Sequence, residues 1–561
     1  MKRVLGGIMT LGILCSACTN KTERMESELK SFIQECEKTV APIEKEAALA
    51  YWNSSITGAD ADFQIYEAKS KELTAYFADK VRFETLKKIK ESKAVKDELL
   101  KRQMDVLYLS FLANQVDLEK LNKTIEIQTK IEQKYSKFRA IVGKDTLSDN
   151  DIESELKKST DNLRLEAVWK AHKEIGNVVA ADIIALAKLR NEIAEELGYK
   201  NYHEMSLELS EQDPKEILAI FDELDGLTKD AFTQLKSEMD DHFVKRYKLS
   251  KEALMPWHYQ NRFFQEAPTL YPVDLDAYYK DKNIEKLTSD FFAGINLNAD
   301  NILANSDLYE KENKNQHAYC ITIDKKGDVR VLGNLKNTEM WMGTMLHEFG
   351  HAVYDKNIDP TVPYVLKEPA HTFTTEAVAM LFGRNSTNPV WMSEMGIISA
   401  DDAKKIGDNG FKQLRLQQLV FSRWAQVMYR FEKGLYENPD QDLNALWWSL
   451  VEKYQLIKKP QGRENMADWA SKIHIATSPC YYHNYLLGEL LASQLNNYIC
   501  TQILKTDNIK TPNYVGNIAI GEYMVNKVFA PGAIYPWNEM IEKATGEKLT
   551  AKYYAKQFIA E

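Results

Sequence analysis

"HAYCITIDKKGDVRVLGNLKNTEMWMGTMLHEFGHAVY", residues 317–354, changes its periodicity halfway. Up to Leu335, two β-rich runs flank Lys325-Lys326-Gly327-Asp328, a pattern that predicts a hairpin. From about Asn337 or Thr338 to Tyr354 the apolar residues recur at three and four spacing, which predicts a helix. A small β-ribbon thus feeds directly into a helix carrying His347, Glu348 and His351. Around these three stand Met345, Leu346, Phe349 and Val353, residues of core type rather than of a solvated surface.

Outward from this stretch the helical habit dominates. "ESELKSFIQECEKTVAPIEKEAALAYW" and "VWKAHKEIGNVVAADIIALAKLRNEIAEELG" carry the apolar stripe of amphipathic helices, the second closing on Gly198. The pattern is helical again from Asp401 to the end, with loops at Pro439, Pro460–Arg463 and Pro531. No repeat period or low-complexity linker divides the chain. The prediction is a mainly α body forming a single domain over 18–561.

Of the 561 residues, 44% are apolar and 27% charged, an ordinary globular composition. A net charge of −10 argues against a nucleic-acid partner, since binding phosphate needs a basic stripe. After the first twenty residues no apolar run is long enough to span a membrane. The start differs: "MKRVLGGIMTLGILCSAC" has a basic opening, a short apolar run from Val4 to Leu14, then small residues before Cys18, which predicts an export signal over 1–17. Cys18 after Ser16-Ala17 resembles a bacterial lipobox, although Cys15 stands where leucine is usual; ordinary cleavage is the alternative. The expectation is an exported cell-envelope lipoprotein, facing the periplasm or the cell surface, held to the membrane by lipid on Cys18 alone. Cys36, Cys320, Cys480 and Cys500 are widely spaced with no C-x-x-C pair, so disulfides do not organise the fold.

His347-Glu348-x-x-His351 is an H-E-x-x-H pattern. On a helix, positions four apart project from one face, so both imidazoles can reach one Zn²⁺ at about 2.0–2.1 Å. Glu348 would then point beside the metal and take a proton from water. Zinc hydrolases need a third ligand, and "YVLKEPAHTFTTEAVAMLFGR" offers Glu368, His371 and Glu376. Asn357 stands where metzincins carry their third histidine, so that class fails. Glu376, expected in the first turn of a helix capped by Thr374 or Thr375, is the favoured ligand; Glu368 and His371 stay open.

"HEFGHAVY" and "PAHTFTTEA", with the spacing from His351 to Glu376, resemble the angiotensin-converting enzyme family of peptidyl-dipeptidases and, more distantly, the thimet oligopeptidases. "AYWNSSIT" (50–57), "WWSLVEKYQ" (447–455) and "KIHIATSPCYYHNY" (472–485) resemble further motifs of the former family in the same order. The resemblance implies two helical lobes around a deep central groove, with an edge strand beside one zinc ion per chain, and short oligopeptides as substrates. It implies Tyr485 as the oxyanion donor. His474 and His317 would bond substrate backbone, and His317-Ala318-Tyr319-Cys320 would lead an edge strand that pairs with peptide. Lys472 and Tyr482 would grip the terminal carboxylate, with Tyr481 as the other register for the tyrosine and Gln260 as a further member. Three positions depart from the family: Val451 and Asn484 replace chloride-binding arginines, and Met380 replaces an aspartate that orients a zinc histidine. The rival readings are an endo-acting oligopeptidase of the thimet type and a lipoprotein that binds peptides without cutting them.

Overall fold

The computed structural model describes the backbone of residues 8–271 and 273–559, and the side chains from residue 21 onward within those spans. The leader expected over 1–17 and the lipidated Cys18 lie outside the described side chains. Helix makes up 68% of the chain and strand 3%. The strands form two antiparallel pairs, β1 (Ala140–Val142) with β2 (Asp145–Leu147) and β3 (Tyr319–Thr322) with β4 (Val329–Leu332).

The apolar spacing builds the core as expected. In the helix Asn162–Glu196, Leu165, Val168, Trp169, Ile175, Val179, Ile183 and Leu186 form one buried stripe. The Asp161 carboxylate accepts the N–H groups of Leu163 and Arg164 and so starts this helix. Gly198, at φ +91°, ends it, and the Tyr199 N–H reaches back to the Ala194 carbonyl at 2.9 Å.

Two cores result. The larger runs from Ile131 to Phe558. The smaller, around Leu29, Leu86, Ile89, Leu107 and Phe111, belongs to the N-terminal helices α1 (Ile8–Thr57), α2 (Asp60–Phe77), α3 (Lys80–Glu91) and α4 (Glu98–Ala113). Apolar packing of Trp52 and Val106 and a set of polar contacts join this N-terminal unit to the rest. Arg102 donates to the Ala533 carbonyl at 2.8 Å and forks onto both oxygens of Glu211. The Tyr364 hydroxyl donates to Glu44 on α1 at 2.5 Å. No described helix is long and apolar enough to cross a membrane.

Three helices converge on the H-E-x-x-H stretch. The motif helix, Glu339–Lys356, starts where the Thr338 hydroxyl accepts the Trp341 N–H at 3.3 Å. The ligand helix, Thr372–Gly383, crosses it so closely that a Cβ on Gly350 would lie 2.8 Å from the Ala379 Cα. A third helix, His483–Tyr498, brings Gly488 against Met380 and Glu376; a Cβ there would meet the Glu376 Cβ at 3.3 Å. Only glycine allows the first approach.

Candidate metal centre and active site

The hairpin turns at Asp324–Asp328, where the Asp324 carboxylate accepts the N–H groups of Lys326 and Asp328, and Gly327 takes φ +107°. That turn sets β3 beside the motif helix. β3 pairs only with β4 among the described strands, leaving its other edge free. The free edge borders a cavity of about 610 Å³ whose walls include Ala318, Tyr319, Cys320, Glu348 and both motif histidines.

At the base of this cavity His347, His351 and Glu376 each place a donor atom within 4.8 Å of the others. The two Nε2 atoms are 3.3 Å apart, and the Glu376 carboxylate lies 3.6 Å from His347 and 3.9 Å from His351. Donors at zinc bond lengths in a tetrahedron stand roughly 3.3 Å apart. Two neutral imidazoles and one carboxylate at this separation therefore fit zinc with little closure. Burial pushes His347 down to about 4 and His351 to about 3, so both are neutral and free to ligate at pH 7. Burial, then the negative charge of Glu489, pushes Glu376 up to about 7. Glu489 is itself paired with Arg384.

The remaining candidates for the third ligand are engaged elsewhere. Glu368 is held by Lys325 at 2.7 Å. His371 caps the ligand helix, its Nδ1 accepting the Phe373 N–H at 3.2 Å. This corrects the expected start: the cap is His371 rather than Thr374 or Thr375, and Glu376 falls in the second turn. Thr374 instead accepts the His371 N–H, completing a reciprocal cap. Thr375 has another task. Its hydroxyl lies 2.7 Å from His351 Nδ1, so with Nε2 turned to a metal the Nδ1–H donates to Thr375. A threonine one residue before the ligand thus supplies what Met380 cannot. Its adjacency to Glu376 was the available signal.

Glu348 is buried beside the three donors, at the edge of β3. Burial first, then the charge of Glu376, pushes its carboxyl up to about 8, against the opposing pull of the Cys320 backbone N–H. Such a carboxyl holds a proton readily, as a shuttle near neutral pH requires. Asp355, one turn beyond His351, also borders the cavity, and burial with Glu368 nearby pushes it up to about 8.

The 472–485 segment supplies the polar groups beyond the donors. Tyr485 is close enough to Glu376 that this charge adds to burial in raising its phenol, which stays protonated as a donor. From Tyr485 an aromatic chain runs outward: Tyr482 at 5.4 Å between ring centres, then His474 at 5.4 Å from Tyr482. Tyr481 also packs on Tyr485 at 5.4 Å, and Glu376 acts on its phenol too, whereas Tyr482 packs beside Lys472. The Lys472 ammonium lies over the rings of Phe263, Trp424 and Tyr482 at 5.2–5.4 Å. Burial, reinforced by Arg262, lowers it to about 7. His474 is lowered to about 4 by burial and Lys472 and is neutral at pH 7.

Two expected members stand apart. Gln260 is not beside Lys472: the chain turns left-handed there at φ +61°, and the amide donates to the Lys157 carbonyl at 3.4 Å. Gln265 takes that place, its carbonyl oxygen accepting from Lys472 at 2.5 Å. The aromatic pair Phe263-Phe264 just before it marked the right glutamine. His317 is exposed, one residue before the cavity wall that Ala318 begins, with its N–H on Asn315. The two replaced arginine positions are neutral and packed: Asn484 accepts from Gln212 at 2.8 Å, and Val451 is buried.

The chain matches the family model for angiotensin-converting enzyme over residues 23–558. It is also similar to carboxypeptidase 1 of Bacillus subtilis, 25% identical over 263 residues that cover 42% of this chain and 50% of the relative. The match spans about half of that relative's length.

Proposed function

The chain belongs to the angiotensin-converting enzyme family, and on that premise we propose that it is an exported zinc metallopeptidase that trims short oligopeptides from the C-terminus, two residues at a time. The observation carrying this reading is the cluster of His347, His351 and Glu376 with Glu348 buried beside it in the same cavity wall. A zinc ion bound there supplies Lewis-acid polarisation of water and of the scissile carbonyl. Glu348 takes the proton from the attacking water and returns it to the leaving nitrogen. Tyr485 donates to the carbonyl oxygen as negative charge develops on it. The free edge of β3 pairs with extended peptide backbone whatever its side chains, which suits a general trimming enzyme.

Lys472, caged by aromatic rings and bonded to Gln265, is a fixed cation for the terminal carboxylate. Carboxypeptidase 1, to judge from its name, also works from the C-terminus, which agrees with such a grip. The leader and Cys18 support an acylated protein of the bacterial envelope.

One digest tests the reading. A free-acid decapeptide and its C-terminal amide are incubated with the protein, the products being weighed by mass spectrometry with and without chelator. Successive dipeptide losses from the acid alone, abolished by chelator and restored by zinc, are expected. Equal cutting of the amide would remove the terminal grip; turnover that ignores the chelator would remove the metal. Loss of single residues would replace the dipeptidase with a carboxypeptidase. The mass of the N-terminal peptide reports whether Cys18 carries acyl chains.

A further inference from the structure

Residues 87–96, "KKIKESKAVK", hold five lysines and one glutamate in a chain whose net charge is −10. They form the tip where α3 turns into α4. Lys93 sits in the turn itself at φ +53°, and Lys88, Lys93, Lys96 and Lys101 are exposed. Between the two helices runs a groove of about 520 Å³, floored by Ile89, Val95, Met104 and Tyr108 and rimmed by lysines. Lys90 is committed to Asp105 and to the Tyr108 ring, and Lys101 lies 3.7 Å from the exposed Glu98. Of the other acids, Glu91 also lines the groove, and Asp97 is spent on capping α4, where it accepts the Leu100 N–H.

The tip is fixed to α1 at Lys21 and Glu26. Glu26 accepts the N–H groups of Lys96 and Asp97 at 2.9 and 3.0 Å, and Lys21 reaches the Ser92 carbonyl at 3.5 Å. Cys18 precedes Glu26 by eight residues, a helical rise of about 12 Å. The lysines therefore cluster where an acyl chain on Cys18 would bring the protein to a bilayer. The diacylglyceryl group that a lipobox cysteine receives anchors a protein by itself; a basic patch beside it adds an electrostatic contact that sets the protein's orientation. A chain this acidic is otherwise repelled by an anionic surface.

We propose that the α3–α4 tip is a docking surface for the anionic phospholipid headgroups of the leaflet that holds the Cys18 acyl chain, setting the protein in one orientation on the membrane. The proposal rests on the lipoprotein reading above.

The test uses the mature chain from position 18 with Cys18→Ser, so that no acyl chain contributes. It is sedimented with vesicles of phosphatidylcholine alone or mixed with phosphatidylglycerol, at low and high salt. Binding to the mixed vesicles only, released by salt, is expected. Replacing Lys88, Lys93, Lys96 and Lys101 by Gln should weaken that binding roughly fivefold per lysine, with thermal melting and peptide turnover unchanged. Unchanged binding by this variant, or no binding of the Cys18→Ser chain to anionic vesicles, overturns the proposal. So does preferential capture by polyglutamate, which would point to an acidic protein partner. Acylated wild-type chain that binds neutral vesicles while the Cys18→Ser chain binds none would keep the anchor and discard the tip.

Discussion

The two regions bordering the site are held by different kinds of contact. The 472–485 segment is braced from behind by buried groups. Arg190 donates to the Ala476 carbonyl at 2.8 Å, and the Glu432 carboxyl accepts the Cys480 N–H at 2.8 Å, pinning a residue at φ +55°. The hairpin meets α1 through a small apolar cluster, Trp52 against Ile323 and Leu332, and through Lys325, which bridges Glu44 on α1 at 3.0 Å and Glu368 beside the ligand helix at 2.7 Å. Buried hydrogen bonds are costly to leave unmade, whereas partly exposed ion pairs contribute little. The first region is braced by buried hydrogen bonds; the second rests on a smaller apolar cluster and more exposed charges.

That contrast can be broken or sharpened by experiment. The largest effect is expected for Glu348→Gln, which should lower kcat by about 10²–10⁴-fold while bound zinc, measured by metal analysis, stays at one per chain. Lys472→Ala should cost about a hundredfold in kcat/KM on free-acid peptides and almost nothing on amides. Burial lowers Lys472 to about 7, so the free enzyme loses this cation as pH rises through 7. KM for free acids should climb above that pH in wild type and stay level in Lys472→Ala; a parallel climb in both would remove Lys472 from carboxylate binding. Thr375→Val should weaken zinc by about 10–100-fold in a chelator competition.

The contrast itself is tested by a pair. Glu432→Ala orphans a buried N–H, which should cost about 1–3 kcal/mol locally and raise hydrogen exchange across 474–482, with Gln restoring protection. Lys325→Met, the smallest effect, should change stability by about 1 kcal/mol or less yet raise exchange across the hairpin. Equal exchange in both variants would mean that the two regions are alike.

Much of this arrangement is legible in the order of the residues. The hairpin, the motif helix and the long helix closing on Gly198 follow from period and punctuation, because each is decided by contacts within its own stretch. The third ligand follows from residue chemistry and family resemblance. What the chain conceals is pairing across distance. Gln265 rather than Gln260 meets Lys472 because left-handed turns at Gln260 and Phe264 redirect the strand of chain between them, and no local pattern encodes such a reversal. Thr375 reads locally as a helix cap, yet its partner lies twenty-four residues back. The export leader and the acylation of Cys18 are proposals that rest on the sequence pattern alone.

The Cys320 N–H has a consequence of its own. The strand that would seat a peptide is also the strand whose Cys320 N–H favours the charged form of Glu348, so docking and proton transfer share one part of the fold. A ligand that fits the edge badly and displaces it also knocks the acceptor out of line. Discrimination among peptides is then exerted in the rate of the bound complex more than in its affinity, and a tight but misaligned peptide behaves as an inhibitor.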